Sequence, residues 1–155
     1  MIIRDGTVKT VKAPAENRPE YGLIGIEYLS DAGGLRQFGL YRQVLEPGAR
    51  TSTRHWHEVE DEFLYVLSGT PTVIENDGPH ELSPGDICCW PGGVPNAHTV
   101  ENRSDRPATI LILGSRPGDD RCHYPDIGRT QIDEGACWRI VDDATGVTIK
   151  EGRRE

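Results

Sequence analysis

Long apolar runs are missing from this chain. No stretch approaches the roughly 18 residues that cross a bilayer as a helix. The start, MIIRDGTVKTVKAPAENRP, lacks the apolar centre of a secretion signal. A soluble, cytoplasmic protein is therefore expected, with no membrane partner. An excess of basic residues is missing too. Seventeen Lys and Arg face 25 Asp and Glu, a formal net charge of −8. Proteins that hold a phosphate backbone usually carry a basic face, so no nucleic-acid partner is expected. The four cysteines, Cys88, Cys89, Cys122 and Cys137, form no CxxC pair. Neighbouring Cys88 and Cys89 cannot bridge each other, so reduced thiols are expected. Helical periodicity is absent as well. The nearest approach, Leu35, Phe38, Tyr41 and Leu45, is broken by Gly33, Gly34 and Gly39. No repeat, low-complexity tract or linker divides the 155 residues. One domain spanning 1–155 is expected, because domains run to about 100–200 residues.

Turn signals are plentiful. The 18 glycines and 11 prolines gather in EPGA, LSGTP, ENDGPH, SPGD, PGGVPN, NRSDRP and SRPGDD. Between them lie short stretches rich in aliphatic and aromatic residues: YGLIGIEYL, FGLYRQVL, EFLYVLSG, PTVIEN, DICCW and ATILILG. Short strands at such spacing indicate an all-β sandwich or barrel. The segment 136–152 reads as a late hairpin turning at DDATG, and the first 20 and last five residues read as mobile or edge-lying ends. Side chains alternate along a strand. Glu62, Leu64 and Val66 thus share one face, and Phe63, Tyr65 and Leu67 the other. Both faces are apolar and both need cover. A homodimer is the expected source of the second cover, and terminal strands of the same chain are the alternative.

The strongest chemical signal is His55-Trp56-His57. Two histidines at i and i+2 of a strand project from one face and can grip one ion, while Trp56 points away and packs. Acidic residues follow at Glu58, Glu60, Asp61 and Glu62, and His98 lies in a Pro/Gly-rich turn. Imidazoles with a carboxylate suit a first-row divalent metal.

These residues form two ordered motifs. The first reads Gly48-ARTSTR-His55-Trp56-His57-EVED-Glu62-FLYVLS-Gly69, spanning 48–69. The second reads Gly85-DICCW-Pro91-Gly92-Gly93-VPNA-His98-TVE-Asn102, spanning 85–102. Both resemble the motifs of the cupin superfamily. The Gly48–His55 gap is one residue longer than usual there, and the Gly93–His98 gap two longer. The resemblance implies a double-stranded β-helix, a jelly-roll barrel with short terminal strands. It further implies a divalent ion (Fe, Mn, Ni or Zn) held by His55, His57, Glu62 and His98; counting back from Gly69 selects Glu62 over Asp61. The strings RHWHEVEDEFLYVLSG, PGDICCWPGGVPNAHTVENRS and YPDIG are similar to small bacterial single-domain cupins, some provisionally labelled sugar-phosphate isomerases. The implied function is a metal-dependent enzyme (dioxygenase, isomerase or lyase) acting on a small organic molecule. The alternative is a non-catalytic protein that binds a metal or a small ligand.

No catalytic base is assigned. One of Cys88 and Cys89 should face the cavity, where a small-hydrophobe role is the default. His123 reads as loop packing, His80 as solvent-facing, and Trp90 and Trp138 as packing residues. Arg54 reads as a solvated arginine, and no phosphate-binding Lys or Arg cluster is evident near the ligands. Glu58, Glu60 and Asp61 read as an acidic rim, one of which could hydrogen-bond a ligand imidazole.

Overall fold

The computed structural model describes residues 1–154. Its strands are β1 (Val11–Pro14), β2 (Leu23–Tyr28), β3 (Phe38–Leu45), β4 (Trp56–His57), β5 (Glu62–Ser68), β6 (Thr72–Glu75), β7 (Gly78–Glu81), β8 (Ile87–Trp90), β9 (Thr99–Glu101), β10 (Ala108–Ser115), β11 (Asp119–Tyr124), β12 (Arg129–Glu134), β13 (Cys137–Asp142) and β14 (Thr148–Arg153). The single α-helical turn among the described residues is α1 (Leu29–Ala32). All named pairings are antiparallel. One wall is a six-stranded sheet in the order β1-β2-β3-β10-β5-β8. The other wall combines a three-stranded sheet, β7-β6-β9, with a five-stranded sheet, β14-β13-β12-β11-β4. The stretch ahead of β4 joins these two: Arg50 bridges Glu101, and His55 bridges His98. The result is a double-stranded β-helix, as the motifs implied.

The core lies between the walls. Ile24, Leu45, Leu64, Val66 and Ile110 come from the six-stranded sheet, and Val73 and Val100 from the three-stranded one. Burying an aliphatic side chain of this size stabilises by about 1.5–3 kcal/mol. Alternation holds on β5: Leu64 and Val66 are fully buried, whereas Tyr65 and Leu67 are exposed. Glycine is required at Gly69. Its φ is +79°, and a Cβ there would stand 2.7 Å from the Ala108 Cα.

Two expectations need correction, one at the N-terminal end and one at an internal segment. The N-terminal stretch includes an edge strand, β1, but Ala15 and Tyr21 are buried in the core. The Tyr21 hydroxyl lies 2.8 Å from the Thr53 hydroxyl, anchoring this segment beside the site. The segment read as a Cys-His loop around Cys122 is a regular strand, β11, paired with both β12 and β4. The late hairpin is present as β13 and β14. Among the described residues no helix is long and apolar enough to cross a membrane.

Candidate metal centre

The bridge between the two motifs builds the centre. His55 and His98 exchange backbone hydrogen bonds of 3.0 and 2.8 Å, which sets their side chains next to each other. His57 follows two residues later on the same face. Glu62, the first residue of β5, enters from the opposite wall. The four residues singled out in the sequence thus converge. Around the Glu62 Oε2 stand three imidazole nitrogens: Nε2 of His98 at 2.9 Å, of His55 at 3.6 Å and of His57 at 3.7 Å.

Each ring is turned the same way. His55 Nδ1 is 2.9 Å from the Thr53 carbonyl, and His98 Nδ1 is 3.3 Å from the Asn96 carbonyl. His57 Nδ1 is 2.5 Å from the Asp120 Oδ2. These acceptors hold the proton on Nδ1 and leave the Nε2 lone pairs aimed at one point. The Glu62 Oε2 is buried there without a well-aligned hydrogen bond. Donors that share an ion at about 2.0–2.2 Å stand about 3–3.5 Å apart. The chemistry of this donor set fits a first-row divalent metal; His55, Glu62 and His98 form one mutually close group, and His57 stands beside it, 3.7 Å from the Glu62 Oε2.

Electrostatics agree. Burial alone would raise the Glu62 carboxyl, but hydrogen bonds and charge from His55 and His98 hold it well below the carboxylate range. Burial opposes protonation of His55, yet the Glu62 carboxylate outweighs it and raises that imidazole. A proton and a metal ion compete for the same lone pair. The His98 ring is stacked on Trp90, centroids 3.7 Å apart and planes 6° from parallel. Trp90 itself donates to the Glu75 Oε1 at 2.6 Å.

The residue that orients His57 was invisible in the sequence. Of the acidic rim, Glu58 pairs with His123 at 2.8 Å, and Asp61 accepts from the Gly92 N–H at 2.8 Å. Glu60 approaches His57 Nδ1 only to 3.9 Å. Burial, and then the charge of Glu62, push its carboxyl up to about 8. Asp120 takes the role instead, from β11, and its second oxygen accepts from the Val59 N–H at 2.8 Å. Glu60 lies against Gly114, where an added Cβ would meet its Oε1 at 2.0 Å and push that carboxylate aside.

Alternation on β11 sorts the other candidates. Asp120, Cys122 and Tyr124 face the cluster, and His123 faces away. His123 stacks on Trp56, 4.3 Å between centroids, as a packing role requires. The cysteine beside the histidines is Cys122, within ligand range of His55 and His57, rather than Cys88 or Cys89. Cys88 packs against the core, and burial pushes its thiol up to about 11; Cys89 is exposed. His80 is exposed and pairs with Asp77 at 2.8 Å. Arg54 is not simply solvated: it grips Asp126 at 3.0 and 2.6 Å and Asn76 at 2.8 Å.

Fold and donor cluster together define a β-helix barrel with an inward-facing His/Glu group. The family model for the Cupin domain matches residues 41–114. A sugar phosphate isomerase of the cupin superfamily from Silicibacter pomeroyi is 30% identical, with 94% of this chain and 95% of that one covered and a TM-score of 0.85. A protein provisionally named sugar phosphate isomerase, from Acidithiobacillus ferrooxidans, is 26% identical over 96% of each chain, with a TM-score of 0.86. Protein SchB of Streptomyces halstedii is 29% identical over 132 residues, 84% of this chain and 78% of that protein. The chain belongs to the cupin superfamily.

Proposed function

We propose that this cupin is a metal-dependent enzyme whose divalent ion is held by His55, His57, His98 and Glu62. The observation that carries the reading is the buried Glu62 Oε2, flanked by three Nε2 atoms whose rings are all fixed in the ligating orientation. Fe, Mn, Ni or Zn suits this donor set. When bound, such an ion supplies Lewis acidity toward substrate oxygens.

The chain's own residues do the remaining work. Asp120 fixes the orientation of the His57 ring through its Nδ1. The Tyr124 ring lies 5.8 Å from His55, and burial keeps its hydroxyl protonated, a hydrogen-bond donor at the cavity wall. The ligand side chains keep some accessible surface, 15% for His55 and 14% for Glu62, so a small molecule can reach them. Of the dioxygenase, lyase and isomerase chemistries open to such a centre, isomerisation is favoured by the names of the two relatives sharing nearly the whole chain. The test is turnover of a panel of aldose and ketose phosphates by chelated and metal-reloaded protein. Activity that disappears with chelation and returns with one metal supports the reading. Ligand binding without turnover by the loaded protein would instead make it a binding protein.

Assembly follows from β5 and its neighbours. Tyr65, Leu67 and Ile87 are 37%, 41% and 55% exposed on the outer face of the six-stranded sheet. Among the described residues no terminal strand covers them. A second copy of the chain is the proposed cover, giving a homodimer. A cytoplasmic location and one domain spanning the chain belong to the same proposal.

A further inference from the structure

A cleft of about 400 Å³ opens beside the donor cluster, walled by Thr53 and Tyr124 at its inner end. Both residues touch His55: Thr53 through its carbonyl and Tyr124 through its ring. The floor is the inward face of the five-stranded sheet. In successive ladders Lys150 stands opposite Ile140, Ile140 opposite Gln131, Gln131 opposite Cys122, and Cys122 opposite His57. One row of side chains thus runs from the centre to the sheet edge. Arg129 lies one inward position from Gln131 and opposite Tyr124.

The charge of this cleft contradicts that of the molecule. In a chain of net charge −8 its lining holds Arg18, Arg129, Lys150 and Arg154, with Glu16 as the lone acid. Two of the cations are engaged: Arg18 with Glu20 at 2.8 Å, and Arg154 with Asp133 at 2.7 Å. Among the described residues no carboxylate lies within ion-pair distance of Arg129 or Lys150. Asp142, opposite Arg129 in the ladder, is tied instead to the Thr145 hydroxyl and N–H at 2.8 and 2.9 Å. Lys150 has only the Trp138 ring, 5.6 Å away. Glu16 is occupied by the Thr53 hydroxyl at 2.9 Å. It also sits at φ +52°, a left-handed conformation that non-glycine residues rarely adopt. That strained turn shapes the rim next to Arg18. The cavity on the other side of Asp120 offers no such attraction: it is lined by Asp31, Glu60, Asp120 and Asp133, with both of its arginines ion-paired.

We propose that this cleft binds the phosphate group of a small organic phosphate, with Arg129 and Lys150 as its principal cations, while the rest of the molecule reaches toward His55 and Glu62. Arg129 stands on β12, two strands or about 10 Å from β4, and Lys150 on β14, four strands or about 19 Å, so a short carbon chain spans the distance from a phosphate at Arg129 to the centre, with Lys150 on its far side. Gln131 and Trp138 supply a polar and a flat apolar surface between the two ends. The cations come from positions far apart in the sequence, which is why no basic cluster was evident there. This substrate class rests on the metal-enzyme reading, but the phosphate site itself does not need the ion.

The experiment is calorimetric titration of metal-free protein at low ionic strength with fructose 6-phosphate, fructose, gluconate and inorganic phosphate. Fructose 6-phosphate and inorganic phosphate are expected to bind, and fructose not. Arg129→Gln and Lys150→Met should each weaken phosphate binding by about tenfold or more, as loss of a charge-assisted bond does. Both positions are exposed, so the barrel should keep its thermal midpoint. His57→Ala should keep phosphate affinity while losing metal uptake, which separates this site from the centre. Unchanged binding in both cation variants, tighter binding of gluconate, or no phosphate binding would overturn the proposal.

Discussion

Single residues decide whether the donor cluster holds a metal. Asp120 is nearly buried and holds one ligand ring through the shortest of the three Nδ1 contacts. Losing such a partner typically costs 10–100-fold in metal affinity. Asp120→Asn is therefore expected to weaken metal binding by about that factor in a chelator competition, with the circular dichroism spectrum unchanged. Unaltered affinity would leave Asp120 a packing residue only. The four donors themselves were legible in the sequence because the two motifs name them. Asp120 was not, because it lies 63 positions from His57 and reaches it only through the pairing of β11 with β4. The same distance hid Cys122, and local spacing pointed at Glu58, Glu60 and Asp61 instead.

Elements were legible where one face is dry. FGLYRQVL became β3 without a change of boundary, and EFLYVLSG, DICCW and ATILILG became β5, β8 and β10 with one end shifted by a residue in each. β11 and β12 were missed, because DDRCHY and RTQIDE carry few apolar residues. Their inward faces line wet cavities, so alternation there separates polar from polar and leaves no hydrophobic period. The motif's final asparagine also acts at this scale. Asn102 is fully buried, and its amide donates to the carbonyls of Leu45 at 2.8 Å and Arg106 at 2.7 Å. It ties the end of β3 to the loop ahead of β10. Asn102→Ala leaves a buried carbonyl unpaired, which costs about 1–3 kcal/mol. Urea denaturation should show that loss as a lower midpoint at constant slope. An unshifted midpoint would contradict the role.

The whole molecule is a barrel whose core needs no ion. Ile24, Leu45, Leu64, Val66 and Ile110 form a buried apolar cluster, so chelation should leave it folded, with only a modest drop in melting temperature. The uncovered strip on the outer face belongs to this scale as well. Sedimentation velocity is expected to show a dimer, and Leu67→Asp should shift it toward monomer; a monomeric parent protein would refute that assembly. The most direct test of the central claim is elemental analysis of protein purified without a metal-affinity tag or chelator, beside His57→Ala and Glu62→Gln. The account predicts close to one first-row divalent ion per chain in the parent protein, and little in either folded variant. A parent protein that carries no metal and takes none up, or variants that keep full occupancy, would contradict it.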